Sequence, residues 1–379
     1  MLRFRTMITP NRLPPVAALA LAALLAGCQT TTDPSQAGLA PQDALSVARK
    51  AVPPGVKDAA GWAHDIRTSF SLLGLPATRG SLCATVAIIE QESNFQVNPV
   101  VAGLPAIAWK AIEERAGRYH IPSFMVRSAL ALPSGNGKSY AERIDSARTE
   151  EDLSRTFDAL IGSVPMGRQL FGQYNPVRTG GAMQVSIAYA EEHTKRKPYP
   201  YGDARSIREE IFTRRGGLYF GIAHLLDYPV DYPEMKFRFA DYNAGHYASR
   251  NAAFQRALAV ATGRKLTPDG DLLDHANPAM NTPGQTEQAA RVFGKQIGQS
   301  DEAIRAMLQK GDSLAFADTP LYKAAFARAD RAGSGRPMAR ALLPDIRLNS
   351  PKITRKLTTA WFAERVNERY LRCLARVGE

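Results

Sequence analysis

A single carboxyl, Glu92, closes the stretch Leu82-Cys83-Ala84-Thr85-Val86-Ala87-Ile88-Ile89-Glu90-Gln91-Glu92-Ser93-Asn94-Phe95. Read as a helix at about 100° per residue, Leu82, Val86 and Ile89 form an apolar stripe, and Glu92 continues its flank beside Thr85 and Ile88. Glu90, two positions earlier, points elsewhere. A carboxyl on the apolar side of a buried helix is desolvated. That disfavours its charged form and raises its pKa to where a general acid works near neutral pH. A lone Glu in such a place is more often a solvated helix end, so the chemistry depends on what other stretches bring to it.

Two further stretches carry suitable groups, Gly180-Gly181-Ala182-Met183-Gln184-Val185-Ser186 and Phe239-Ala240-Asp241-Tyr242-Asn243-Ala244-Gly245. Together with Glu92-Ser93-Asn94-Phe95 they resemble, in order, the three signature motifs of lytic transglycosylases, within the goose-type-lysozyme-like superfamily. Residues 215–226 resemble that family's helix before the third motif. The resemblance covers residues 82–245, under half of the chain. As a whole the chain also resembles a family of bacterial lipoproteins, a likeness that adds no chemistry.

The resemblance implies cleavage of the MurNAc–GlcNAc bond by one carboxyl. Glu92 would protonate the glycosidic oxygen and then deprotonate the C6 hydroxyl of the same muramyl sugar, leaving a 1,6-anhydro product. The substrate's own N-acetyl group can assist, so a second carboxylate is not required. Tyr242 matches the motif tyrosine that hydrogen-bonds the catalytic carboxyl. Ser93 matches the residue that orients developing charge. Gly181, Met183 and Gln184 match the cleft wall, Gln184 as a donor to acetamido or peptide carbonyls and Met183 with core filling as the alternative. Asn243 would hold its loop or donate to the sugar. Two residues depart from the pattern. Ala182 replaces Leu, and Asp241 replaces a small residue. Asp241 reads as a solvated side chain, with water activation for a lysozyme-like hydrolysis as the alternative. A different class also stays open, a non-catalytic glycan-binding or scaffolding lipoprotein.

The chain's start constrains where this would happen. Residues 1–27 read as a signal peptide, with Arg3, Arg5 and Arg12 before an apolar run too short to span a bilayer. The run ends in Leu25-Ala26-Gly27-Cys28, which resembles a lipobox with Cys28 as the lipidated residue. Gln29 after it favours the outer membrane by the same resemblance. Residues 28–42 lack apolar periodicity and read as a tether. The expected location is the periplasm, anchored by lipid in the inner leaflet of the outer membrane.

Composition agrees with an anionic partner. The 379 residues carry a net charge of +12, of which the three leader arginines account for three, leaving +9. Peptidoglycan strands with peptide carboxylates fit that charge. Nucleic acid does not, because the cations are scattered and the chain is exported. The six His are dispersed in sequence, no Cys/His spacing suits a metal, and no cofactor is called for. Cys83 and Cys373 both sit in helices with apolar faces. In an oxidising compartment they are expected to pair, with buried thiols as the alternative.

Helical patterns dominate. The expected fold is mostly α, a lysozyme-like lytic transglycosylase domain over residues 43–262 with a long helical insert at 103–178, followed by a helical region at 263–379. Helices are expected at 58–73, with Ser81 as N-cap of the Glu92 helix, then at 106–117, 124–132, 140–147 and 150–161 in the insert. Further helices fall at 252–262, 286–297, 301–310, 320–332 and 358–377. In the last, Phe362, Val366, Tyr370, Cys373 and Val377 share one face. The insert lies between two motifs and is read as a lid or as a docking surface for a cell-wall protein, with decoration away from the cleft as the alternative.

Overall fold

A computed structural model describes residues 38–274, 282–333, 336–348 and 357–378. The signal peptide, Cys28 and most of the tether lie outside these residues. Among the described residues the fold is mostly helical, with two hairpins of two-residue strands.

The central element is α3 (Arg79–Glu92), reached after α1 (Pro41–Ala51) and α2 (Ala59–Leu73). Residues 80–89 are buried all round, which marks a helix packed on every side rather than an amphipathic surface helix. Its start is a capping box. Thr78, not Ser81, is the N-cap, and Ser81 answers from the third helical position, satisfying two otherwise orphaned amides. At its end, Asn94 and Phe95 both adopt positive φ, turning the chain so that the Phe95 ring meets Trp62 edge-on at 5.3 Å.

The chain then enters the insert, α4 (Leu104–Arg118), α5 (Ser123–Leu130), α6 (Tyr140–Asp145), α7 (Glu150–Gly162) and the short α8 (Gly167–Phe171). Trp109, Leu130, Tyr140 and Ile144 give it a small core of its own. Its root is tied to the body at Asn98, whose amide donates to Glu151 Oε2 and to the Phe212 carbonyl. It returns at Val177, whose carbonyl accepts from Arg208.

A hairpin of β1 (Thr179–Gly180) and β2 (Val185–Ser186) follows, paired Thr179 with Ser186 and Gly180 with Val185. Next come α9 (Ile187–Arg196), α10 (Ile207–Ile211), α11 (Arg214–Leu226), α12 (Met235–Ala244) and α13 (Ala248–Thr262). The C-terminal part holds α14 (Gln285–Gln296), α15 (Asp301–Leu308), α16 (Pro320–Ala332), a second hairpin of β3 (Arg347–Leu348) and β4 (Leu357–Thr358), and α17 (Thr359–Gly378).

The apolar cores divide the chain differently from its sequence order. One core joins α1, α2, α3, the first hairpin, α11, α12 and α17. A second gathers α13 through α16 around Phe254, Phe316, Leu321 and Phe326. Thus α13, read as the end of the catalytic domain, packs with the second core, and α17, read as part of a C-terminal region, returns to the first. The reason is α17's apolar stripe, which buries Phe362, Val366, Tyr370, Cys373 and Val377. Cys373 is joined to Cys83 of α3 by a disulfide. The body also begins before residue 43. Gly38 bridges to Thr78, the Leu39 amide donates to the Ala77 carbonyl, and α1 starts at Pro41.

Candidate active site

Glu92 lies at the C-terminal end of α3 and is partly exposed, whereas the residues before Glu90 are covered. Glu90 faces α17, where Arg369 and Arg372 approach its Oε1 at 3.4 and 3.5 Å. The two carboxyls therefore serve different surfaces, as i and i+2 positions on a helix must.

Tyr242 comes to Glu92 from α12. Burial pushes its phenol pKa well above the usual value, and the Glu92 charge pushes it further in the same direction. Its hydroxyl donates to the Met183 carbonyl at 2.6 Å. A phenol has one proton to give, so the donation that the family pattern directs at the carboxyl goes here to the hairpin. Tyr242 thus ties α12 to the hairpin while its phenol feels the Glu92 charge.

The hairpin is shaped by glycine and small residues. Gly181 has φ of +73°, and a Cβ there would fall 2.2 Å from the Ile211 carbonyl oxygen, so only glycine fits both conformation and space. Met183 is wholly buried, and its side chain fills the space above Gly221. It is not a cleft-wall side chain but a core one, and its contribution at the site is its carbonyl. Gln184, at φ of +51°, folds back over the turn. Its amide donates to the Gly181 carbonyl and its oxygen accepts from Thr179, both at 3.3 Å. These distances are long for hydrogen bonds.

Ser93 is buried, and its hydroxyl donates to the Ile89 carbonyl at 3.1 Å. It closes its own helix rather than facing a substrate. Asn243 is exposed, with Oδ1 held by the buried Thr359 hydroxyl at 2.9 Å, so α17 reaches the site through one bond.

With this geometry in place, the chain can be set beside known proteins. Residues 55–376 match the profile of a family described as a protein of unknown function, DUF1615. The chain belongs to this family. It is 51% identical over 367 residues to the protein named Uncharacterized protein YaiW of Escherichia coli (strain K12), spanning 96% of this chain and 99% of that one. No solved structure matches the chain.

Asp241, next to Tyr242, faces the opposite way in this DUF1615 chain. It is fully buried, and so is not the solvated side chain expected from the sequence. It accepts from the Tyr228 and Tyr232 hydroxyls at 3.2 and 2.7 Å and from the Tyr247 and Ser249 amides at 3.0 and 2.7 Å. Burial raises its pKa against the pull of those donors. It anchors the Tyr247 and Ser249 amides at the start of α13 and the two tyrosine hydroxyls, and its burial leaves no open face for water activation.

Sequence reasoning missed a cluster of rings behind Tyr242. His224 lies 4.9 Å from the Tyr242 ring, 4.7 Å from His246 and 4.5 Å from Tyr189. His224 Nε2 is 3.2 Å from the Tyr242 carbonyl, and His246 Nε2 is 2.7 Å from the His224 carbonyl. Burial, then the neighbouring His246, lowers the His224 pKa to about 3, so the ring is neutral at physiological pH. The available signal was the position of His224 in α11, the helix preceding the third motif; dispersion along the chain concealed that the fold gathers His224 and His246, with His193 5.9 Å from the Tyr189 ring. Among the described residues no group of three or more His, Cys, Asp or Glu side chains could hold a metal ion, and no helix is long and apolar enough to cross a membrane.

Proposed function

We propose that this chain is a peptidoglycan lytic transglycosylase in which Glu92 acts alone as acid and then base. The observation carrying the reading is convergence. Glu92 at the open end of α3 is near enough to Tyr242 to press on its phenol, Tyr242 binds the Met183 carbonyl of the 181–184 turn, and Asn243 next to it is exposed. A partly exposed carboxyl on a rigid, fully packed helix meets the positional demand of proton transfer. Tyr242 fixes the hairpin against α12, so the wall opposite Glu92 does not drift. Gln184, held by two long bonds, can exchange them for a sugar acetamido group at little cost. Asn243 offers its amide to the glycan while Thr359 holds its oxygen.

The reaction balances within the substrate. Glu92 gives its proton to the glycosidic oxygen as the C1–O bond breaks. The resulting carboxylate takes the C6 hydroxyl proton as that oxygen closes on C1. Glu92 ends protonated, and no water is consumed. Hydrolysis through Asp241 has no support in this arrangement, since that carboxyl is enclosed. We further assign the protein to the periplasm, held by lipid on Cys28 at the outer membrane, with glycan strands as its substrate and the insert bordering the cleft.

Digestion of purified peptidoglycan followed by mass spectrometry tests the reading. Anhydro-muramyl ends from the parent and none from Glu92→Gln are expected. Reducing ends from the parent would make it a hydrolase. Binding without cleavage by the parent would make it a glycan-binding lipoprotein.

A further inference from the structure

We propose that the outer face of the insert is a membrane-docking surface for anionic phospholipid headgroups. Every residue from 117 to 125 is exposed, including Tyr119 and Phe124 at 70% and Met125 at 52%. A second exposed stretch holds Leu170, Phe171 and Tyr174. The Arg115 guanidinium lies over the Tyr174 ring at 5.1 Å, which brings the two stretches onto one face. Exposed aliphatic and aromatic side chains are common singly, but this many together are not left to water without a use.

Charge identifies the occupant. Residues 115–141 and 159–178 contain no Asp or Glu. Arg115, Arg118 and Arg168 form no ion pair among the described residues, whereas Arg127 is paired with Glu113. Apolar tips among unpaired guanidinium groups, with the nearest carboxylates, Glu113 and Glu114, lying beside Arg127 and Lys110, match the interfacial zone of an anionic bilayer, where rings and aliphatic groups sink in and cations stay at the headgroups. A second copy docked face to face would set these cations against their own kind. A glycan would stack on the rings but offers no apolar medium for Met125 and Leu170.

Reach is sufficient where Cys28 carries lipid. Ten positions separate Cys28 from Gly38, a span of up to about 35 Å. Gly38 meets the N-terminal end of α3 and the insert leaves from its C-terminal end, and those 14 residues are about 21 Å long. The docking is independent of Glu92 and would set the orientation of the body rather than its chemistry.

Hydrogen exchange of the full-length protein on vesicles tests this, comparing phosphatidylglycerol mixed with phosphatidylethanolamine against pure phosphatidylcholine. On the anionic vesicles, exchange in 117–125 and 168–174 should slow on the order of tenfold, and high salt should reverse it. Phe124→Ser combined with Phe171→Ser should abolish the protection while leaving the melting temperature unchanged, since both rings are exposed. Absence of protection on anionic vesicles, or equal protection on phosphatidylcholine, would overturn the proposal. So would protection that appears without vesicles, either on adding soluble glycan fragments or on raising protein concentration.

Discussion

Helix α12 carries two adjacent residues into two unlike regions. On one side Tyr242 meets the hairpin and the open end of α3, where Glu92 keeps part of its surface exposed. On the other, Asp241 is sealed among two tyrosine hydroxyls and two amides at the start of α13. Both carboxyls sit on helices, Asp241 within α12 and Glu92 at the end of α3, but only Glu92 has an open face. A carboxyl without an open face anchors structure. With one, it can meet a substrate and exchange its proton. What separates them is access, not residue type or motif membership.

The largest effect should come from the open side. Glu92→Gln keeps shape and bonding capacity, so the melting temperature should hold while peptidoglycan cleavage falls by roughly 10²–10⁴-fold. Retained cleavage would dissolve the distinction between the two sides. Next, Cys83→Ser with Cys373→Ser frees α17 from α3, and loss of a long-range disulfide typically costs about 2–5 kcal/mol. Since Thr359 of α17 holds Asn243, cleavage should decline with it; denaturant titration and activity on the same samples check both.

On the sealed side, Asp241→Asn should leave per-molecule cleavage nearly intact but cost about 2–3 kcal/mol of stability, because an amide nitrogen replaces an acceptor facing fixed donors. Strong loss of activity in a fully folded Asp241→Asn protein would bring that carboxyl back into the chemistry.

Acid should separate the sides by sign. His224, with a folded pKa near 3, binds a proton in the unfolded chain below about 6.5 but not in the native one. Stability therefore falls as pH drops from about 6.5 toward 3, by at most about 1.4 kcal/mol per pH unit. His246 is shifted the same way. Asp241, with its pKa raised, works oppositely, since the native state holds its proton longer as pH rises above the ordinary carboxyl range. Urea titrations at pH 7, 6 and 5 should show stability falling with acid, and His224→Gln should reduce that slope while leaving the part due to His246. The smallest effect belongs to Glu90→Gln, which loosens a half-exposed pair with Arg369 and Arg372. It should shift stability by under about 0.5 kcal/mol and leave cleavage unchanged.

Helix positions were legible in α3, in the four larger insert helices and in α14 to α17, most of them long enough for apolar spacing to register. Helix α1 was not, since Pro41-Gln42-Asp43 reads as the end of a polar coil and only burial of Ala44, Val47, Ala48 and Ala51 makes it a helix. Short α8 and α10 carried too few residues for a period to register. At the site, the sequence singled out Glu92 because the stripe and the motif order are local and linear properties. It also determined that Glu90 and Glu92 must diverge, by helical geometry alone. Only the tertiary structure decided which polar groups were already occupied. Ser93 is bound to its own helix and Met183 is sunk over Gly221, while the Tyr242 proton goes to a carbonyl and Asp241 is enclosed by four donors. The Tyr242 bond reaches 59 residues away and the one holding Asn243 reaches 116, while the partners of Ser93 and Asp241 lie 4 to 13 residues away. A one-dimensional pattern states which groups can bond. Which of them remain available is settled when packing assigns each donor an acceptor.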